Sequence, residues 1–145
     1  MTDRRLAVAA WESMFRAQHE IFDRISGDFD DVFLAQAEYD VLLTVMRSAG
    51  KTARLRDVTS NMLISQPSVS RLVDRMVARD LLSKCADPQD GRGSLVRATP
   101  EGASRFRALA TAHARSIAAE MAALDDDELA QLAHLTDKLR RASAN

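Results

Sequence analysis

The 145-residue sequence predicts a mainly α-helical chain that carries one small β-hairpin. Three observations support this. Apolar residues recur at three- and four-residue steps near both ends of the chain and in its middle, the spacing of amphipathic helices. Two β-prone runs, LLSKC and SLVRAT, flank the stretch Asp87-Pro88-Gln89-Asp90-Gly91-Arg92-Gly93, whose proline, aspartates and glycines suit a hairpin turn. Directly after it, Thr99-Pro100-Glu101-Gly102 reads as a helix start. Thr99 is the N-cap, Pro100 takes the first position, where its missing N–H costs nothing, and Glu101 suits the helix dipole.

Taken in order, residues 4–26 read as a first helix. Leu6, Ala10, Met14, Ala17, Ile21 and Ile25 form one apolar row; Trp11, Phe15 and Phe22 form a second beside it. A helix apolar on more than one face needs more than one partner surface. Gly27 and the acidic run Asp28-Phe29-Asp30-Asp31 end it. Residues 35–48 read as a second helix with Tyr39, Leu42, Leu43 and Met46 on one side, and Gly50 closes it. Residues 54–62 make a short third helix with Leu55, Val58 and Met62 inward. A fourth is expected to start at Ser65 as N-cap with Pro67 in the first turn. Its inward face is Val69, Leu72, Val73 and Met76. After the hairpin, an alanine-rich helix is expected to run from Pro100 to about Ala123. The last helix opens at Asp125, where Asp125 and Glu128 have the spacing of a capping box, and carries the stripe Leu129, Leu132, Leu135 and Leu139.

A short helix, a tight turn, a second helix and a β-hairpin make a winged helix-turn-helix arrangement. Long apolar helices at both ends of the chain are more than that unit needs, and they predict a helical dimerisation lobe.

Composition bounds the function. The chain has 46% apolar residues, enough for a sizeable core, and no apolar run near the ~20 residues of a membrane span. The N-terminal stretch lacks the layout of a signal peptide, and the single cysteine, Cys85, excludes an intrachain disulfide and a multi-cysteine zinc site. These features place the chain in the cytoplasm without a membrane partner. Net charge is −1, yet residues 51–97 carry 9 basic against 5 acidic side chains, while residues 1–50 carry 5 against 9. A positive middle on a near-neutral chain attracts a polyanion locally.

In a helix-turn-helix the second helix lies in the major groove, with its N-terminal part at base edges. Here the outward residues are Gln66, Ser68, Arg71 and Arg75, with Ser65 at the helix start and Ser70 at the flank. Glutamine can bond adenine, arginine guanine, and serine a base or a phosphate. Arg54 and Arg56 are expected to touch phosphates.

The stretches SQPSVSRLVDRMVARDLL and DPQDGRGSLVRATPEG resemble the DNA-binding lobe of the MarR family of bacterial transcriptional regulators. The resemblance extends over nearly the whole chain. It implies one MarR-like domain over 1–145, with a DNA-binding lobe at 36–99 and a dimerisation lobe from 1–30 and 100–145 that intertwines with a second subunit. It implies that Arg92 enters the DNA minor groove and that Asp90 orients it through a salt bridge. Three positions depart from the family pattern: Leu63 in the interhelical turn, Asp80 where glycine usually ends the recognition helix, and Ala98 before Thr99.

The resemblance also implies a small aromatic or phenolic effector that separates the recognition helices and releases DNA. Trp11, Phe15 and His19 on the first helix, with Tyr39 and Arg47 on the second, are the candidate ligand residues, because flat rings with polar tips suit such a molecule. The resulting expectation is a homodimeric repressor on a palindromic operator in double-stranded DNA. Two alternatives stand beside it: an oxidant-sensing regulator that uses Cys85, and a winged-helix protein-interaction module without DNA binding. The sequence shows no glycine-rich phosphate loop and no nucleophile beside a base, so no enzyme is expected. His19, His113 and His134 are too far apart in sequence for a metal cluster, and no cofactor is expected.

Overall fold

The computed structural model describes residues 1–29 and 33–144. The helices are α1 (Arg4–Ile25), α2 (Gln36–Arg47), α3 (Leu55–Ser60), α4 (Val69–Ala78), α5 (Pro100–Glu120) and α6 (Asp126–Ala142). The strands are β1 (Thr52–Arg54), β2 (Leu82–Asp87) and β3 (Asp90–Ala98). Asp30 and Asp31 of the acidic run expected to end the first helix lie outside the described residues; α1 itself stops at Ile25 and passes into a 3-10 turn over Ser26–Phe29.

The chain forms two compact units, one of residues 26–112 and one of residues 1–25 with 113–145. In the first of these, α2, α3 and α4 enclose a core with one face of an antiparallel sheet of order β1-β3-β2. Val41, Leu42, Val45, Val58, Val73, Met76, Leu81, Leu82 and Val96 are essentially inaccessible there. Each such side chain contributes roughly 1.5–3 kcal/mol by leaving water. Phe106 and Leu109 of α5 pack against the same cluster. The buried side of α2 is broader than periodicity suggested: Leu43 and Met46 are half-buried, whereas Glu38, Asp40, Val41 and Val45 are buried with Tyr39 and Leu42.

The hairpin of β2 and β3 is the one expected, but β1 was not foreseen. Three residues, Thr52, Ala53 and Arg54, pair with Arg97, Val96 and Leu95. So short a strand has too few residues to show an alternating pattern, and only its partner defines it.

The fourth helix begins later than expected. Ser68, not Ser65, is its N-cap: Ser68 has an extended backbone and its Oγ accepts the Arg71 N–H at 3.2 Å. Pro67 restricts Gln66 to extended conformations, which keeps Ser65 and Gln66 out of the helix. At the other end Asp80 adopts the left-handed conformation, φ 59°, and its N–H bonds the Val77 carbonyl while the Leu81 N–H bonds that of Met76. This closure normally favours glycine, and aspartate tolerates it better than most residues.

Thr99 caps α5 as expected. Its Oγ1 accepts the Gly102 N–H at 3.0 Å and donates to the Asp80 carbonyl. Gly102 has no room for a side chain, since a Cβ there would collide with the Leu81 carbonyl. The absence of a Cβ lets the start of α5 lie against the strand entry. α5 ends at Glu120 rather than Ala123. The Asp125–Glu128 capping box forms as expected, with N–H bonds of 2.9 and 3.0 Å.

In the other unit, α1 and α6 bury no residue. Leu6, Trp11 and Phe15 of α1 and Leu135 and Leu139 of α6 are about half exposed or more. Arg24 pairs with Glu120 at 2.7 Å. No helix among the described residues is long and apolar enough to cross a membrane.

Candidate nucleic-acid interface

The unit of residues 26–112 presents α3, the turn to α4, α4 and the β2–β3 hairpin. Val69, Leu72, Val73 and Met76 hold α4 to the core. The helical period then turns Ser68, Arg71 and Arg75 outward on one face. Arg71 and Arg75 are exposed, as are Ser65 and Ser70; Gln66 and Ser68 are half-buried. Ser68 spends its hydroxyl oxygen on the cap, so the residue expected to read a base or phosphate also starts the helix.

The turn between α3 and α4 is fixed from beneath. Asp40, in α2 and 3% exposed, accepts the backbone N–H groups of Leu63 and Ile64 through Oδ2 at 2.7 and 3.1 Å. Burial raises its pKa above the ordinary aspartate value, and the N–H groups of Ile64 and Leu63 partly oppose that rise. Leu63 itself, which departs from the family pattern, points outward and is 79% exposed, so a small residue is not required by packing. Asp40 was not singled out from sequence, although a carboxylate between Tyr39 and Val41 on an otherwise apolar helix face was a visible signal.

The far end of α4 is clamped too. Arg79 pairs with the buried Glu38 and donates to the Phe33 carbonyl at 2.7 Å. Its guanidinium and that of Arg105 lie 4.4 and 3.9 Å from the Phe33 ring centroid. Lys84 of β2 pairs with Asp74 of α4 at 3.0 Å.

Cations in this unit differ in how they are engaged, and among the described residues Arg47 of α2 and Arg107 of α5 are exposed and outside any ion pair. Arg54, Arg79, Lys84 and Arg105 are engaged in ion pairs. Among the described residues, the guanidinium groups of Arg56, Arg71, Arg75 and Arg92 make no hydrogen bond or ion pair, and all four residues are exposed. An open groove of about 540 Å³ lies between α3 and the hairpin, lined by Arg54, Arg56, Thr59 and Ser60 on one side and by Asp87, Asp90, Arg92, Gly93 and Ser94 on the other. Its cations and hydroxyls suit a phosphodiester.

At the hairpin tip, Asp90 behaves differently from the salt bridge that the resemblance implied. Its Oδ1 accepts the backbone N–H of Arg92 at 3.1 Å, and the Arg92 guanidinium stays free. A short Asx-type bond across two residues is satisfied within the turn, whereas a guanidinium on an exposed tip gains little from pairing in water. Arg54, expected on a phosphate, instead pairs with Asp87 at 3.2 Å.

Of the residues expected to hold a ligand, Trp11, Phe15 and His19 do form one row. The ring centroids are 5.6 Å apart for Trp11 and Phe15 and 6.2 Å for Phe15 and His19, the latter pair stacked. Tyr39 belongs to the other unit, buried between Phe29 and Phe106 at 5.4 and 5.0 Å. Burial raises its pKa, and the charge of Arg47 partly offsets this. Arg47 is exposed. Cys85 is exposed on β2 opposite Leu95. Among the described residues no group of three His, Cys, Asp or Glu side chains could hold a metal ion.

The model of the MarR family matches residues 34–93, which span α2, the helix-turn-helix and the hairpin to its tip. This segment belongs to the MarR family. The whole chain is similar in fold to AbsC, a MarR family transcriptional regulator from Streptomyces coelicolor, with a TM-score of 0.83 and 20% identity over 99% of this chain and 97% of that one. It is similar in the same way to Sco3205, a MarR family transcriptional regulator from Streptomyces coelicolor solved in complex with DNA, with a TM-score of 0.82 and 17% identity over 98% and 90% of the two chains. The PcaV transcriptional regulator of Streptomyces coelicolor, solved with its natural ligand, is 27% identical over 99% of each chain, with a TM-score of 0.74. A search of the curated proteins gives no match. The MarR-type segment contains all ten residues expected at DNA, from Arg54 to Arg92.

Proposed function

We propose that the chain is a sequence-specific DNA-binding transcriptional regulator that acts in the cytoplasm as a homodimer. The observation that carries this reading is the set of four exposed, unpaired arginines, Arg56, Arg71, Arg75 and Arg92, distributed over α3, α4 and the hairpin tip of a MarR-type winged helix. Arg71 and Arg75 stand one turn apart on the outward face of α4 and enter the major groove with Gln66 and Ser70. Arg92 enters the adjacent minor groove, where a narrow A·T-rich stretch concentrates negative potential. Arg56 meets a phosphate.

The apolar faces that α1 and α6 leave exposed support a second copy of the chain as their cover. A symmetric pair places two recognition helices on half-sites about one DNA turn, ~34 Å, apart, so the operator is a palindrome. Selection from random-sequence DNA by the purified protein should enrich an inverted repeat with that spacing; no enrichment would contradict the reading.

The chain is a repressor released by a small aromatic effector in this reading. The stacked row of Trp11, Phe15 and His19 supports it, as does the presence of a natural ligand in the PcaV structure. Trp11 is the chain's one tryptophan, so its fluorescence reports the site directly. Quenching by an aromatic acid that also releases DNA is expected; neither effect across a panel of aromatic acids and phenols would remove the effector from the account.

A further inference from the structure

Arg54 stands among the cations of the groove, but its guanidinium is bonded to side chains of the protein itself. It ends β1, opposite Leu95 of β3. Its Nε lies 3.2 Å from Asp87 Oδ2, and its Nη2 donates to Gln89 Oε1 at 2.8 Å. Asp87 is 5% exposed, and its other oxygen accepts the Gln89 N–H at 2.9 Å. The three side chains thus close a ring between β1 and the first residues of the hairpin turn.

The ring sits where the hairpin is least constrained by its own ladder. The β2–β3 register shifts between Ala86 and Asp87. Irregularities of this kind bend a strand and raise its local twist, so the direction of the tip is not set by strand pairing alone. Beyond the shift, Asp90 holds the Arg92 N–H at 3.1 Å, and a Cβ on Gly93 would come within 3.3 Å of Asp90. Arg92 is therefore joined to β1 through a short series of contacts, in which Arg54 is the link from β1 to Asp87 and Gln89.

We propose that Arg54 is a positioning residue: it braces the hairpin through Asp87 and Gln89, aims Arg92 at the minor groove, and makes no phosphate contact of its own. The inference rests on the DNA-binding reading above. Two physical arguments favour it. The planar guanidinium presents Nε–H and Nη–H groups in a rigid fork, which matches two acceptors at once; an ammonium on a flexible stem does not. A buried carboxylate beside DNA would repel phosphates if unpaired, and Arg54 neutralises Asp87, so the pair brings little net attraction to a polyanion.

The test is a double-mutant cycle on the full chain. Binding to DNA carrying the selected operator is measured by anisotropy against salt for Arg54→Ala, Arg54→Lys, Asp87→Asn, Arg92→Ala and the Arg54→Ala/Arg92→Ala pair. Arg54→Ala is expected to weaken binding about tenfold, the loss of one groove contact. The pair should bind within about twofold of Arg92→Ala alone, with the same salt slope, because coupled sites do not add. Arg54→Lys should behave as Arg54→Ala does. Asp87→Asn removes a negative charge next to DNA and should still weaken binding. A phosphate contact requires the reverse: additive losses, a further fall of about 0.9 in the salt slope of the pair, rescue by lysine and tighter binding by Asp87→Asn. Any one of these results would overturn the proposal. A readout without DNA separates it from the DNA reading: ¹⁵N relaxation should show the Arg92 amide ordered in the unaltered protein and mobile in Arg54→Ala and Asp87→Asn. An equally ordered amide in both variants would overturn the brace even if DNA binding were never found. Should Arg54→Ala fail to fold, the near-isosteric Asp87→Asn carries both readouts.

Discussion

The unit of residues 26–112 and the unit of residues 1–25 with 113–145 treat their apolar side chains in opposite ways. In the first, aliphatic residues from α2, α3, α4, β2 and β3 meet in one cluster from which water is excluded. In the second, α1 and α6 carry equally regular apolar rows and bury none of them. An amphipathic helix is stable in water only when its apolar face is covered. The first unit supplies that cover from its own sequence. The second leaves Leu6, Trp11, Phe15, Leu135 and Leu139 for another surface, and the proposed dimer provides it.

The contrast can be broken by substitution. Met76→Ala in the core should destabilise the chain by about 2–5 kcal/mol in chemical denaturation, the usual cost of a large-to-small change in a closed interior. Leu139→Asp, on an exposed row, should leave the melting of the 26–112 unit nearly unchanged and shift the sedimentation coefficient from dimer to monomer. A monomeric unaltered protein, or a dimer unaffected by charges on α1 and α6, would remove the explanation for the exposed rows. Gly102→Ala should cost about 1–3 kcal/mol, because the added methyl meets the Leu81 carbonyl and α5 must shift outward.

Asp40 sharpens the comparison on the DNA side. Asp40→Leu strips the acceptor from the Leu63 and Ile64 N–H groups and should cost about 1–3 kcal/mol, with loss of operator discrimination. Its folded pKa is raised, so the folded chain holds the proton more tightly than the unfolded chain does. Stability from this group is therefore fully present below the ordinary aspartate pKa, ~3.9, and declines as pH rises through the higher folded value. Asp40→Asn should flatten that part of the pH–stability profile. The smallest effect is expected at Arg56→Ala, a uniform loss on all DNA sequences with a salt slope reduced by about 0.9.

Much of this was legible in the sequence. Six helices and the hairpin follow from periodicity, from Thr99-Pro100-Glu101-Gly102 and from the turn residues of Asp87–Gly93, because each depends on neighbours within a few residues; the turn itself falls at Pro88 and Gln89, and Asp90–Gly93 opens β3. What sequence did not show depends on distant partners. β1 exists only through its pairing with β3. The start of α4 moved from Ser65 to Ser68 because Pro67 restrains the residue before it. Arg54 looked like a free cation until Asp87 and Gln89, more than thirty positions away, were brought to it. Asp90 looked like a partner for the Arg92 side chain and proved to hold its backbone instead. The free arginines of α3, α4 and the hairpin tip could be named from the sequence as cations, but only the structure shows which cations are already paired.

The central claim is tested most directly by fluorescence anisotropy of the purified protein on labelled DNA carrying the selected inverted repeat, titrated with salt and challenged with random-sequence competitor. The account expects binding that survives the competitor, weakens steeply with salt and saturates at two chains per site, and that Arg92→Ala weakens about tenfold. Equal binding to both DNAs, or no change with Arg92→Ala, would contradict it.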